Sequence, residues 1–228
     1  MNQIAKKKSG GRTATREARR IQLINATIDS ISKHGFSGTT LSSVTRGAKM
    51  SHGVVNFHFK SKEALYEQTM GFLAQEHYDF WSKAMMKAGG NLNDQLAAII
   101  STDFHPSICT RKKVAVWFAL WGQAKYRPSY LKLHDKFDKL REAEIERLCA
   151  EITKEGNYKD VDPYAKARNL VALLDGFWLN FLLYPKTATR KQGRQDIYDF
   201  LASTFPKHFS QIEKEKARDT RSPIRCSF

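Results

Sequence analysis

Residues 40–65, TLSSVTRGAKMSHGVVNFHFKSKEAL, constrain the fold more than any other stretch of the chain. They hold two short helical segments, about 40–47 and 51–57, around a tight turn. A basic junction and the start of a longer helix follow. Val44, Ala48 and Val55 are spaced so that two crossed helices bury them against each other. Ser51 stands where the second helix begins, and its hydroxyl is expected to cap the free N–H groups there. The small and polar Ser51, His52, Gly53 and Asn56 lie along the other side. A helix with such a face can enter a groove about 12 Å wide and meet base edges.

The rest of the chain reads as helix with clear punctuation. Ile21, Ile24, Ile28 and Ile31 share one face of a helix over about Thr13 to His34, which Gly35 ends. Ser61 is the expected N-cap of a long helix running to about Lys87. Breaks are expected at Gly89–Asn91, Pro106, Arg127–Pro128, Gly156–Asn157, Pro163 and Pro185. The reading is all-α, about nine helices, with strand-type alternation absent. Residues 1–12 form a basic arm expected to be disordered, 13–60 a helix-turn-helix head, 61–212 a helical body, and 213–228 a frayed tail.

Charge separates the two parts. Residues 1–60 carry eleven basic against two acidic side chains, a net of +9. Residues 61–228 carry twenty-seven against twenty-one, a net of +6. The denser patch coincides with the helix-turn-helix, as phosphate neutralisation requires, and it predicts strongly salt-dependent binding. No apolar run is long enough to span a membrane, and no apolar stretch follows the basic N-terminus as a secretory signal would need. Cys109, Cys149 and Cys226 lie far apart and form no metal-type pair, which fits a reducing cytoplasm. No metal and no cofactor is expected. No nucleophile–base pair, phosphate loop or metal spacing points to an enzyme.

The stretch resembles the TetR family of bacterial transcriptional repressors. Thr40, Val44, Ala48, Met50, Ser51, Gly53, Phe57, His58, Phe59, Lys62, Glu63 and Leu65 fit that family's pattern. Lys49 departs from it, standing where the family usually has the turn glycine. If φ is positive there, lysine costs roughly 1–2 kcal/mol. Asn56 replaces the usual Tyr, and the choline-responsive BetI branch also has a small polar residue at that place. Ser51, His52, Gly53, Asn56 and His58 are candidates for base or phosphate contact, with His52 the best placed for base readout. Thr39 and Thr40 suit phosphate contact at a helix start, and Lys60 and Lys62 at the junction. Phe57 and Phe59 read as core residues.

The body concentrates large aromatics. Trp117 and Trp121 are four apart on one helix face, and Trp178 follows Asp175 by three. Such stripes ordinarily fill a core. Yet VWFALWGQAKYRP and ALLDGFWLNFLL resemble two stretches of the BetI branch, and choline chemistry fits them. A quaternary ammonium is held by aromatic faces, each worth from about 0.5 to 2 kcal/mol. The resemblance implies a cage of Trp117, Trp121 and Trp178 with Phe104 nearby, Asp175 as counter-charge, and Tyr126 and Tyr184 toward the ligand's polar end. It also implies a homodimer paired through about 164–184 and 193–211, a pseudo-palindromic DNA operator, and release by a small effector. Two rivals keep the DNA-binding head. One takes a lipid-like or drug-like effector, and the other binds DNA constitutively with a filled body.

Overall fold

The computed structural model describes residues 9–209. Among them are nine helices and no strand: α1 Ser9–Gly38, α2 Leu41–Ala48, α3 His52–His58, α4 Lys62–Lys87, α5 Leu92–Thr102, α6 Arg111–Ala124, α7 Pro128–Gly156, α8 Pro163–Leu183 and α9 Arg190–Thr204. None is long and apolar enough to cross a membrane. The expected tail from 213 lies outside the described residues. So do residues 1–8 of the expected arm, while residues 9–12 already belong to α1.

Helix ends follow local chemistry. Gly35 (φ 69°, ψ 178°) interrupts α1 where a left-handed residue is needed. Thr40 caps α2 with a full capping box. The Ser61 hydroxyl accepts from the Ala64 N–H at 3.0 Å, as expected of the N-cap before α4. Asn91, Asp162 and Thr189 cap α5, α8 and α9, with Pro163 at the first turn of α8.

The chain divides into two compact units. The first comprises the chain up to Leu73 together with Ala115–His134. Its core takes Leu23, Ile24, Ile28 and Ile31 from α1, Val44 and Ala48 from α2, Val55 from α3, then Phe59, Leu65 and Tyr66. Polar ties fix the arrangement. Gln22 Nε2 donates to Ala48 O at 2.8 Å, the Ser30 and Ser43 hydroxyls bond at 2.8 Å, and the Tyr66 hydroxyl donates to Thr39 O at 3.1 Å.

The second unit comprises Ala74–Val114 and the chain from Asp135. Its core is built from Trp81, Leu96, Ile99, Ile100, Ile145, Leu148, Ile152, Leu170, Leu174, Ile197, Leu201 and Phe205. Here α8 and α9 meet closely at Gly193, where a Cβ would overlap the Phe177 ring. Gly193→Ala should therefore destabilise the fold, although alanine is the better helix former. Overpacking costs about 1–3 kcal/mol and the propensity gain returns roughly 1. A thermal melt should show a midpoint several degrees lower. An unchanged or raised midpoint would mean that Phe177 swings aside freely.

Candidate nucleic-acid interface and effector residues

The turn between α2 and α3 is shaped by Lys49, which sits in the left-handed region (φ 52°, ψ 44°). Its N–H bonds to Arg46 O and Thr45 O, and Met50 N donates to Thr45 O at 2.9 Å. The turn thus keeps a glycine-type conformation with a lysine in it. Ser51 occupies the N-cap position of α3, but its hydroxyl makes no cap bond, contrary to the sequence expectation. Its carbonyl instead accepts from Val54 N at 3.1 Å and Val55 N at 3.4 Å.

The two sides of α3 differ sharply. Val55 is buried, as is Phe59 just beyond the helix. Ser51, His52, Gly53, Asn56 and Phe57 are exposed. Phe57 is 66% exposed, which corrects its reading as core: two residues from Val55, it falls on the far side of the helix. The Arg16 guanidinium stacks over its ring at 5.2 Å. Together with Arg19, Val54 and His58 these residues line a cleft between α1 and α3. Sequence reasoning missed Arg16 and Arg19, although their i,i+3 spacing near the start of α1 was visible.

Thr40 is exposed, its hydroxyl accepting from Ser43 N at 3.1 Å. Thr39 is a correction. It is fully buried and its hydroxyl donates to Gly35 O at 2.9 Å, so the side chain cannot reach a phosphate. The His52 ring lies 3.4 Å from the Ser42 hydroxyl. His58 is held below the usual histidine range by burial and then by Arg16, Arg19 and Arg20, which makes it a neutral hydrogen-bonding group at pH 7. Lys60 is exposed, and Lys62 lies over the Tyr66 ring at 5.3 Å.

The expected effector residues fall in both units. In the first, Trp117 and Trp121 have ring centroids 5.5 Å apart, and His134 stands edge-on to both at 6.0 and 5.3 Å. Tyr126 is 74% exposed. In the second, Phe104 packs in the core against Phe177 at 4.7 Å. The Trp178 indole N–H is committed to Asp103 O at 2.9 Å. Asp175 lies on the exposed side of α8. Its carboxyl is pushed up to about 6 by desolvation and by the carboxylates of Asp138, Asp103 and Glu142, with Arg141 opposing. Because the residue stays open to water, screening reduces the energetic weight of that shift.

Sequence reasoning also missed a buried charged group beside Trp178. The Asp103 carboxylate accepts from His77 Nε2 at 3.1 Å and from Arg141 at 3.2 Å, and Arg141 also donates to Asp138 at 3.1 Å. Burial alone would raise the Asp103 pKa, but the Arg141 guanidinium and His77 hold it below the usual carboxylate range. Its pairing therefore stabilises the fold fully above the unfolded value of about 3.9 and is lost as pH falls through the folded value. Arg141→Met should cost about 3–5 kcal/mol at pH 7 by leaving a buried charge unpaired. Urea unfolding should show the gap from wild type narrowing below pH 4. A gap that is small at pH 7, or does not change with pH, would contradict this account.

Comparison with known proteins accords with this geometry. A model of bacterial regulatory proteins of the tetR family matches residues 23–69, and one of the BetI-type transcriptional repressor C-terminal domain matches residues 92–206. The HTH-type transcriptional regulator BetI of Burkholderia cenocepacia (strain HI2424) is 34% identical over 169 residues, covering 72% of this chain and 82% of its own. A candidate transcriptional regulator of Pseudomonas aeruginosa PAO1 superimposes with a TM-score of 0.73 at 26% identity, covering 85% of this chain and 95% of that one. One from Saccharomonospora viridis, solved in complex with choline, superimposes with a TM-score of 0.72 at 19% identity, covering 81% and 95%. With a helix-turn-helix in its first unit and these matches along its length, the chain belongs to the TetR family and is a BetI-type transcriptional repressor rather than an enzyme.

Proposed function

We propose that this repressor acts in the cytoplasm as a dimer on a pseudo-palindromic operator and is released by a small quaternary ammonium. The observation that carries the DNA-binding geometry is the division of α3. Val55 is buried, while Ser51, His52, Gly53 and Asn56 stand in solvent as one small, polar face. That face enters the major groove, with His52 and Asn56 toward base edges. Thr40, His58, Lys60 and Lys62 are assigned to the backbone on either side, with Arg16 and Arg19 added to them. The head is taken as residues 13–60 and the regulatory body as 61–212.

An exposed apolar stripe along α8 and its C-cap Tyr184 supports the dimer. Leu173, Leu179, Leu183 and Tyr184 are 41–56% exposed. Within the two ranges expected to pair, Leu170, Leu174, Ile197, Leu201 and Phe205 are buried in the chain's own core, and Leu173 remains outside. A two-fold pairing through α8 covers the stripe and sets the two recognition helices one DNA turn apart, about 34–36 Å.

The choline-bound Saccharomonospora viridis relative supports the effector class. Trp117 and Trp121 offer two adjacent faces for a cation. In the second unit Asp103 and Asp138 are already paired with Arg141. Phe104 and Trp178 act there as packing. Effector binding then shifts α4, the helix that begins next to the head, and the pair of heads leaves register.

Fluorescence anisotropy on an operator fragment tests this reading. Saturating choline should weaken binding about 5–150-fold, the range of a 1–3 kcal/mol coupling. Equal affinity with and without choline would refute the release mechanism. His52→Ala or Asn56→Ala should cost about 1–3 kcal/mol and relax specificity, whereas Lys60→Ala should lower the salt slope by about 1. Leu179→Glu should give a monomer in sedimentation, and a persistent dimer would place the interface elsewhere.

A further inference from the structure

Lys49 holds a conformation that the chain otherwise leaves to glycine and asparagine. Among the described residues four have positive φ: Gly35, Gly89, Asn157 and Lys49. Glycine has no Cβ to clash there, and the short polar side chain of asparagine tolerates the left-handed region. Lysine has neither property, and the turn does not require it. The backbone asks only for the N–H that bonds to Arg46 O and Thr45 O, which a glycine would supply as well. Nor does the dipole of α2 call for it, because Arg46 already places a cation in the last turn. The residue is exposed, so it fills no core. A side chain kept against local strain points to a use outside the fold.

Its place beside α3 supplies that use. The polar face of α3 begins at Ser51, and His52 is the first residue of the helix. A recognition helix meets base edges with its N-terminal residues, so the turn before it stands at the rim of the groove, where the sugar–phosphate chain runs. The helix itself holds no lysine or arginine. The nearest such cation before it is Lys49, and the nearest after it is Lys60. Gln22 grips the preceding carbonyl, Ala48 O, at 2.8 Å and ties this turn to α1.

We propose that Lys49 is a phosphate anchor at the N-terminal end of the recognition helix. Resting on the DNA-binding reading, this adds a contact at the end of α3 opposite Lys60. Seven residues make that helix about 10 Å long, close to the roughly 12 Å width of the major groove. A cation at each end limits how far the helix can tilt between the groove walls. Because phosphates are the same at every base pair, Lys49 strengthens binding to all sequences alike and leaves the choice among them to Ser51, His52 and Asn56.

The test uses the full chain, a duplex that wild type enriches from a random-sequence pool, and a shuffled duplex of the same composition. Binding is followed by anisotropy over a salt series. Lys49→Gly should weaken binding to both duplexes by a similar factor and lower the salt slope by about 1 for each head bound. It should also melt at or above the wild-type temperature, so the loss is not one of folding. Lys49→Met keeps the strained backbone without the charge and should match Lys49→Gly in slope, while Lys49→Arg should restore the wild-type slope. An unchanged slope in Lys49→Gly and Lys49→Met would overturn the proposal. So would a loss confined to Lys49→Gly, which would trace to the shape of the turn, or an equal loss in Lys154→Met, which would trace to net charge alone. Wild type that binds neither duplex would overturn the DNA-binding reading with it.

Discussion

Asp103 is the residue on which the second unit depends. Its carboxylate takes hydrogen bonds from His77 on α4 and Arg141 on α7, while its carbonyl takes the Trp178 indole from α8. Three helices are thereby referred to one position at the end of α5. The apolar core around it gives cohesion without direction, because hydrophobic burial is roughly proportional to area and indifferent to angle. The charged bonds supply the angle. Such groups add little net stability over a well-packed apolar core, but losing one partner is severe. The trio therefore fixes where Trp178 can sit, and with it the rotation of α8 about its own axis.

In the first unit the same separation of roles appears without charge. Val55 and Phe59 hold α3 to the body of the head, and His52 and Asn56 on that helix face water. The basic side chains gather around it rather than on it: Arg16 and Arg19 from α1, Lys60 and Lys62 beyond its end. The recognition face itself carries no lysine or arginine. Charge can then set the strength of binding at any sequence, and neutral side chains the preference among sequences.

Features set by neighbouring residues were legible in the sequence. The all-helical class, the break at Gly35, the Ser61 cap and the restart at Pro163 all follow from chemistry within a turn or two. The Lys49 φ was foreseeable for the same reason, since the turn demands it whatever the residue. The errors have two physical sources. Phe57 was read by type, as an aromatic belongs inside, when its angle of about 200° from Val55 puts it outside. Thr39 and the Asp103 group were hidden by sequence distance. Tyr66 covers Thr39 from 27 residues away, and Arg141 reaches Asp103 from 38. No local pattern announces such a partner. Sequence similarity singled out Trp117, Trp121 and Trp178, but not that the Trp178 N–H would be taken and the Trp121 N–H left without an acceptor.

Lys49 has one more consequence. A lysine held at φ 52° stores roughly 1–2 kcal/mol in the turn, and the seven-residue helix that follows has no side-chain cap. Local opening of α3 would relieve that strain and expose little apolar surface beyond Val55. Its amides should therefore exchange with solvent hydrogen well before those of α1 or α2. On the proposed function, the helix that meets DNA is thus the one in the head with the least local support.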